Sequence, residues 1–206
     1  IIPIHNEESS LLRLISELKF FSKKNEIIIV NDGSTDKSKQ ILKKCGFIKL
    51  LNIKKNSGKG VAIKLGIKSS KFDKIIISDG DLELKTSQLK KLMLLDNNDI
   101  KYIIGSRYNV NTESNSIWDF GNILITKIFN YFHYSSIPDA LCCAKSFFKS
   151  HLKDYNLHSK GFDIDVEITS ILINQFSYLE NNNTVYLSYN RRKVNEGKKL
   201  KIKDGW

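Results

Sequence analysis

The chain has 206 residues, of which 41% are hydrophobic and 27% are charged, and this composition excludes a wholly disordered chain. The length suffices for one large domain with a sizeable core. The formal net charge is +11, from 33 basic and 22 acidic residues, which favours polyanionic partners such as nucleic acid, an anionic membrane surface or a phosphorylated substrate.

The three cysteines, Cys45, Cys142 and Cys143, fit neither a disulfide framework nor a zinc motif. They favour a reducing, cytoplasmic compartment, and Cys142 and Cys143 are expected to be small buried hydrophobic residues. No signal peptide and no stretch long enough to cross a bilayer is present in the sequence. Because the sequence opens at Ile1 without an initiator Met and ends at Trp206 after a basic run, we expect a piece of a longer protein, and a membrane anchor outside it stays open.

Strands and helices alternate through the first half of the chain. Runs of β-branched and apolar residues predict strands at residues 1–4, 26–31, 47–53, 74–78 and 102–105. Apolar residues at helical spacing predict the intervening helices, marked by Leu11, Leu14, Ile15, Leu18 and Phe21, by Ile41 and Leu42, by Ala62, Ile63 and Ile67, and by residues 86–95. This alternation predicts an α/β fold with a mostly parallel central sheet flanked by helices, whose strand-end loops share one edge.

The second half is less regular. Residues 118–134 are aromatic-rich at helical spacing; a packed helix is the favoured interpretation, and a membrane-interface or lipid-acceptor surface is the alternative. The other predicted features are a polar segment at 109–116, a turn at 138–139, a short strand at 140–144, a helix at 161–176, a strand at 184–189 and a basic tail at 191–203. We predict a single domain over residues 1–206, with a nucleotide-binding half at about 1–108 and an acceptor-side half at about 109–206.

Three acids follow the predicted strand at residues 74–78. Asp79 and Asp81 flank Gly80, and Glu83 comes two residues later. Carboxylates this close repel one another unless a cation lies between them, and hard divalent ions prefer oxygen ligands. The stretch therefore predicts a metal–diphosphate site, and a solvated acidic turn is the alternative.

Other strand ends supply complementary groups. Asp32 and Asp36 flank a Gly-Ser-Thr turn, where they could bind a base or ribose or could cap the turn. The Gly58-Lys59-Gly60 segment at a helix N-terminus offers backbone N–H groups and a cation to an anion, without the spacing of a Walker loop. Arg107 could pair with a phosphate. Together these loops describe a nucleotide-diphosphate site.

The order of these motifs resembles that of glycosyltransferase family 2, and most of all its polyprenyl-phosphate (dolichol-phosphate) mannose and glucose synthases. The motifs are Ile2-Pro3-Ile4-His5-Asn6-Glu7, Val30-Asn31-Asp32-Gly33-Ser34-Thr35-Asp36, Asn56-Ser57-Gly58-Lys59-Gly60, Ser78-Asp79-Gly80-Asp81 and Gly105-Ser106-Arg107. The resemblance covers nearly the whole chain and implies a GT-A-like fold, a UDP- or GDP-sugar donor and a Mg²⁺ or Mn²⁺ ion.

The resemblance also implies roles for individual residues. Asp81 would be the main metal ligand, with Glu83 and Asp79 beside it. The donor-binding set implied or inferred is Pro3, His5, Glu7, Asp32, Asp36, Gly58, Lys59 and Asp79, with Arg107 near the phosphates. Asp165-Val166-Glu167 resembles an acceptor-side Asp-x-Glu segment. His5 departs from the usual Tyr, and Lys145 stands at the position of a usual Arg.

The acceptor decides the mechanism that we expect. Transfer is expected to invert the anomeric carbon, and a sugar-hydroxyl acceptor would need a general base, for which Asp165 is the candidate. The alternative role of Asp165 is structural, as an acid in the first helical turn that complements the helix dipole. A lipid phosphate needs no base but needs cations, which Arg107, Lys145, Arg191 and Arg192 could supply.

Other functions are weighed against this one. One alternative is an enzyme of the same fold that transfers the sugar to a saccharide hydroxyl in cell-surface polysaccharide synthesis. A sugar-phosphate nucleotidyltransferase is a less favoured alternative, because the Gly-rich N-terminal signature of such enzymes is absent from this sequence. The hypothesis of a nucleic-acid-binding domain is supported by the net charge alone, so no nucleic-acid partner is expected. We expect a cytoplasmic protein, with peripheral association at the cytoplasmic face of a membrane compatible with the sequence.

Overall fold

The computed structural model describes residues 1–96, 99–108, 117–176 and 183–190. The strands are β1 Ile2–Ile4, β2 Ile27–Asp32, β3 Ile48–Ile53, β4 Lys74–Ile77, β5 Tyr102–Ser106, β6 Lys145–Phe148 and β7 Thr184–Tyr186. The helices are α1 Glu8–Leu18, α2 Ser38–Lys43, α3 Lys59–Ser69, α4 Leu89–Leu92, α5 Ile117–His133 and α6 Ile164–Gln175. The polar segment at 109–116 and the basic tail at 191–203 lie outside the described residues.

The strands form two sheets that meet at β1 and β4. The first has the order β1-β2-β3 and is parallel, and the second has the order β4-β6-β5-β7. Two hydrogen bonds, from Ile1 N to Ile76 O at 2.7 Å and from Ser78 N to Ile1 O at 3.2 Å, join them side by side. Among the strands named here only β6 runs antiparallel to its neighbours, which confirms the predicted, mostly parallel sheet.

Helices cover both faces of this layer, because alternate strand residues point to opposite sides. On one face Ile2 and Ile4 pack with the stripe of α1 formed by Leu11, Leu14 and Leu18. On the other face the buried residues come from β4, β5, α3 and α6, namely Ile63, Ile67, Ile75, Ile77, Ile104, Ile164, Ile168 and Leu172. The core therefore lies on both sides of the sheet, as the runs of consecutive apolar residues predicted.

Two predicted elements are wrong in detail. Residues 140–144 are not a strand, and the strand begins at Lys145. The backbone N–H of Ala140 donates to the Thr126 side chain and that of Leu141 to Asp139, so side chains replace a neighbouring strand as acceptors. The helix predicted at 86–95 is a 3₁₀ turn at Thr86–Gln88 followed by the single turn of α4.

Helix α5 forms where it was predicted but packs in an unexpected orientation. Its buried residues are Asp119, Thr126 and Phe129, while large apolar side chains such as Phe120 and Ile128 are exposed. Residues 118–134 thus form the predicted packed helix, with Phe129 in the core, but a large part of its apolar surface is exposed. No helix within the described ranges is both long and apolar enough to span a bilayer.

Candidate active site

Loops from the carboxyl ends of β1 to β5 meet at one edge of the sheet, as predicted. His5 Nδ1 lies 2.7 Å from the carbonyl oxygen of Asp32, which joins the ends of β1 and β2. The Tyr189 hydroxyl donates to Glu83, and the Tyr189 ring lies 5.8 Å from the guanidinium of Arg107. The loop after β4 and the end of β5 are therefore joined through the segment after β7.

Asp32 fixes the turn that leads into α3. It is buried, and its two carboxylate oxygens accept hydrogen bonds from the backbone N–H groups of Ser57 and Gly58, each at 2.8 Å. Charge-assisted hydrogen bonds of this kind hold a loop in one geometry. The sequence placed Asp32 at the site, and the structure shows it supporting the turn beside Lys59.

The anion-binding role predicted for Gly58-Lys59-Gly60 is wrong for the two glycine amides. Gly58 N donates to Asp32, and Gly60 N donates to the carbonyl oxygen of Lys160 at 2.8 Å. Gly58 has a φ of 99°, and a Cβ there would lie 2.2 Å from Lys160 O. These glycines instead allow the start of α3 to press against the loop that precedes α6.

Lys59 lies at the centre of the site. Its ammonium is 2.7 Å from Asp79 Oδ1 and 2.8 Å from Asp165 Oδ2, and it lies 5.4 Å from the ring centroid of Phe162. Asp79 follows β4 on the predicted donor side, and Asp165 is in the first turn of α6 on the predicted acceptor side. One buried cation therefore joins the two halves of the site.

The charges in this cluster stabilise one another. Burial disfavours the charged form of Lys59, but the carboxylates of Asp165 and Asp79 outweigh it and raise the pKa of Lys59 well above its ordinary value. Burial acts to raise the pKa of Asp79, yet Lys59 reverses the effect and lowers it, with help from a hydrogen bond to the Cys143 thiol. Lys59 and Asp79 are therefore both charged near neutral pH.

Asp165 has a second lysine beside it. Lys145 is fully buried in β6, and its ammonium donates to the backbone oxygen of Asp165 at 2.7 Å and lies 3.7 Å from Oδ1. The predicted contact of Lys145 with an acceptor phosphate is wrong, because a side chain with no exposed surface cannot meet a ligand. Among the described residues Oδ1 of Asp165 has no hydrogen-bond donor, and it is buried, so a sugar hydroxyl does not reach it in this conformation.

Arg107 is held by an acid that the sequence did not reveal as part of the site. Asp139 is fully buried and binds Arg107 in a bidentate pair, through Nε at 2.7 Å and Nη2 at 2.8 Å. Burial disfavours the guanidinium charge, but Asp139 raises the pKa of Arg107 well above its usual range. Two of the five guanidinium N–H groups serve Asp139, so three point elsewhere. Pro138-Asp139 looked like a turn, and no local signal paired it with Arg107.

The other predicted donor-site residues have supporting contacts of their own. Glu7 is buried at the start of α1, where its carboxylate accepts from Ser10 at 3.0 Å. Asp36 accepts from Glu8 N at 3.0 Å and from Ser38 N at 2.9 Å. Pro3 is half-buried in β1. Asp36 thus caps the turn before α2, and nucleotide contacts by these residues stay predictions, as they do for His5.

The motif resemblance is confirmed by comparison with known proteins. Residues 1–155 match the family described as Glycosyl transferase family 2. The chain belongs to glycosyltransferase family 2. The dolichyl-phosphate beta-glucosyltransferase of Homo sapiens is 29% identical over 198 residues, which cover 83% of this chain and 61% of that protein. The protein of the same name from Drosophila melanogaster is 27% identical over 195 residues, which cover 82% of this chain and 60% of that protein.

Solved structures agree on the fold of this family 2 chain. Glucosyl-3-phosphoglycerate synthase from Mycobacterium tuberculosis bound to UDP has a TM-score of 0.73 at 16% identity, over 93% of this chain and 70% of that one. The same enzyme bound to Mn²⁺ and UDP-glucose has a TM-score of 0.69, over 95% of this chain and 71% of that one. The predicted GT-A-like fold is thereby confirmed. The chain spans about three fifths of the length of the dolichyl-phosphate relatives.

The acids expected to hold a metal in this family 2 chain are not gathered into a three-ligand site. Asp79 faces Lys59, Oδ1 of Asp81 accepts from Glu83 N at 3.0 Å, and Glu83 accepts from Tyr189. Within the described residues no group of three or more His, Cys, Asp or Glu side chains is arranged to hold an ion. The arrangement fits a metal held by Asp81 together with substrate phosphates, the usual binding mode of Mg²⁺.

A cavity of about 530 Å³ lies away from this edge. It opens at the amino ends of the strands, where Ile27, Ile75 and Phe148 line it, and it contains none of the predicted site residues. The edge of the family 2 fold that gathers the predicted site residues, and not this largely apolar cavity, is therefore the candidate active site.

Glu167 supports the loop that presses on the start of α3. It accepts from His158 N at 2.8 Å and Ser159 N at 3.0 Å. Burial acts to raise the pKa of Glu167, but these two backbone donors outweigh it and lower the pKa. In the Asp-x-Glu segment of this family 2 chain, Glu167 therefore positions a loop beside Gly58 and Gly60.

Stability is expected to fall in acid, more steeply for the native chain than for Glu167→Gln. Because the folded-state pKa values of Glu167 and Asp79 are lowered, both acids stabilise the fold above their unfolded values of about 4, and this contribution is lost as the pH falls through the folded values. The measurement is the thermal unfolding midpoint between about pH 7 and pH 3. Equal slopes for the native chain and Glu167→Gln would contradict the role of Glu167.

Proposed function

We propose that this chain transfers a sugar, with inversion, from a nucleotide-diphosphate sugar to a polyprenyl phosphate at the cytoplasmic face of a membrane. The observation that carries the proposal is the state of Asp165. The acid singled out as a general base is paired with Lys59 and flanked by Lys145, and its remaining oxygen is buried. This geometry favours an acceptor that is already an anion and needs no base.

The relatives support the same class of acceptor and indicate which donor to test first. Two of them are named for transfer of glucose to dolichyl phosphate, and the structural neighbours include a complex with UDP-glucose and Mn²⁺. UDP-glucose is accordingly the first donor to test, ahead of GDP-mannose.

The chain's own residues would position the reactants. Asp32 fixes the turn at Ser57 and Gly58, and Lys59 fixes Asp79, so the donor loops are rigid before the substrate arrives. Arg107, held in its ion pair with Asp139, would offer its remaining N–H groups to a phosphate. Asp81 would hold the metal, which when bound neutralises charge on the diphosphate leaving group.

The decisive experiment offers matched acceptors to the purified chain. A short-chain polyprenyl phosphate, the corresponding polyprenol without phosphate, and a saccharide are each incubated with Mn²⁺ and UDP-glucose, GDP-mannose or UDP-GlcNAc. Transfer to the phosphate alone, with an inverted anomeric configuration by NMR, is the expected result. Transfer to the saccharide but not to the polyprenyl phosphate would refute the proposed acceptor, and pyrophosphate release from a nucleoside triphosphate with a sugar phosphate would indicate a nucleotidyltransferase.

A further inference from the structure

The segment that follows β7 lies across the loop that carries the predicted metal ligands. Tyr189 forms an antiparallel bridge with Leu84. Next to it, Asn190 N donates to the carbonyl oxygen of Glu83 at 2.7 Å. These contacts are made by the backbone, so they do not depend on which side chain stands at position 189. The fold itself therefore places Tyr189 beside the loop after β4.

The side chain of Tyr189 contacts both sides of the candidate site. Its hydroxyl donates to the carboxylate of Glu83. Its ring lies 5.8 Å from the guanidinium of Arg107, and the ring of Tyr108 lies 5.5 Å from the same guanidinium. A guanidinium over an aromatic face at this distance is attracted by the ring. One side chain thus joins the loop of the predicted metal ligands to the arginine that is predicted to bind a phosphate.

The backbone at Leu82 separates Asp81 from Glu83. In an extended chain, side chains two residues apart point to the same side. Leu82 breaks this alternation, because its φ of 61° lies in the left-handed region, which a bulky side chain rarely adopts. The Glu83 carboxylate accepts from Tyr189, while the Asp81 carboxylate accepts from Glu83 N at 3.0 Å. A turn at Leu82 therefore directs the two carboxylates to different partners.

Contacts from the segment after β7 stabilise this turn. A strained backbone conformation persists only where the surrounding structure holds it. The side chain of Leu82 packs against the core, and the bridge at Leu84 and the hydrogen bond from Asn190 fix the backbone that follows. Of the contacts made by this segment, the one from the Tyr189 hydroxyl acts on the Glu83 carboxylate itself. Tyr189 therefore decides where that carboxylate points.

We propose that Tyr189 is a positioning residue that keeps the Glu83 carboxylate from joining Asp81 as a metal ligand. The proposal deepens the proposed function and rests on it for the presence of a metal. With Glu83 held by Tyr189, the ion would depend on Asp81 and on the substrate diphosphate, which is the usual arrangement for Mg²⁺. The chain would then take up the ion with the nucleotide and release both together, so Tyr189 would favour release of the nucleoside diphosphate product.

Binding of Mn²⁺ tests the proposal without catalysis, and the loss of the free-ion signal in electron paramagnetic resonance measures it. The native chain, Tyr189→Phe, and the double variant Tyr189→Phe with Glu83→Gln are titrated with and without UDP. Tyr189→Phe removes only the hydroxyl, so the ring beside Arg107 and the bridge to Leu84 remain. The matched control is Tyr186→Phe, which removes the hydroxyl of a half-exposed tyrosine in β7.

We expect the native chain and the control to bind Mn²⁺ weakly alone and much more tightly with UDP. Without UDP, Tyr189→Phe is expected to bind Mn²⁺ at least about tenfold more tightly than the native chain, because Tyr189 no longer holds the Glu83 carboxylate and partners of metal ligands typically alter affinity by about 10–100-fold. The double variant is expected to return to the native affinity. Unchanged or weaker binding by Tyr189→Phe, a gain that persists in the double variant, or equally tight native binding without UDP would overturn the proposal.

Sugar transfer, measured separately, distinguishes this role of Tyr189 from the proposed function. At saturating Mn²⁺, Tyr189→Phe is expected to have a lower kcat and an unchanged unfolding midpoint, and an unchanged kcat would overturn its role in product release. Tighter Mn²⁺ binding by Tyr189→Phe without sugar transfer by any variant would support the role of Tyr189 and refute the function. No Mn²⁺ binding by any variant in the presence of UDP would overturn the role of Tyr189, and sugar transfer in EDTA would then leave the function standing without a metal.

Discussion

Asp81→Ala is expected to lower the rate of sugar transfer about a thousandfold, which corresponds to roughly 4 kcal/mol of transition-state stabilisation from the metal. The reason is local. Asp79 is paired with Lys59 and Glu83 is bound by Tyr189, so a bound metal would depend on Asp81 and the substrate diphosphate. Initial rates with UDP-glucose and a polyprenyl phosphate, taken over a Mn²⁺ titration, measure the loss.

Two other variants define what the Asp81 result means. Glu83→Gln keeps the side-chain shape and is expected to lose much less activity, because Glu83 already accepts from Tyr189. Asp154→Ala removes an exposed acid away from the site and is expected to behave like the native chain. If Asp81→Ala turns over at the native rate, the metal assignment is wrong, whatever the acceptor.

The sequence predicted where Asp32 and Asp79 lie in the fold because the signals for these positions are local. Each apolar run ends in a polar turn, so the positions of Asp32 and Asp79 at one edge follow from the strands and from right-handed crossovers. Gly80, between the two acids, is required by the core, because a Cβ there would lie 2.5 Å from Ile4 Cγ2.

The acceptor side could not be predicted in the same way because its contacts are distant in sequence. Lys59 meets Asp165 across 106 residues, and Arg107 meets Asp139 across 32. Periodicity gives the face of each element but not the partner it meets. For α5, apolar residues surround much of the helix, so its period could not reveal that Asp119 and Thr126 would pack inward.

Lys59→Met is expected to lower the free energy of unfolding by about 3–5 kcal/mol, because it leaves the buried charge of Asp165 without its nearest partner. Methionine keeps the length and the apolar stem of the side chain, so the change isolates the ammonium. Lys145, at 3.7 Å from Asp165, offsets a part of the loss and places the result toward the lower end of this range. Urea-induced unfolding measures it, and Lys68→Met, an exposed lysine of the same helix, is the matched control.

The double variant Lys59→Met with Asp165→Asn decides whether charge pairing is the cause. Removing both charges leaves no uncompensated carboxylate at Asp165, so the double variant is expected to be more stable than the sum of the single losses by about 1–3 kcal/mol. Additive losses would mean that Lys59 stabilises the site through packing on Phe162 and not through charge. In both the single and the double variant, Asp79 lacks the Lys59 cation, so donor binding is expected to stay weak. Lys59 also holds α6 against α3, and the stability of the double variant measures that second role.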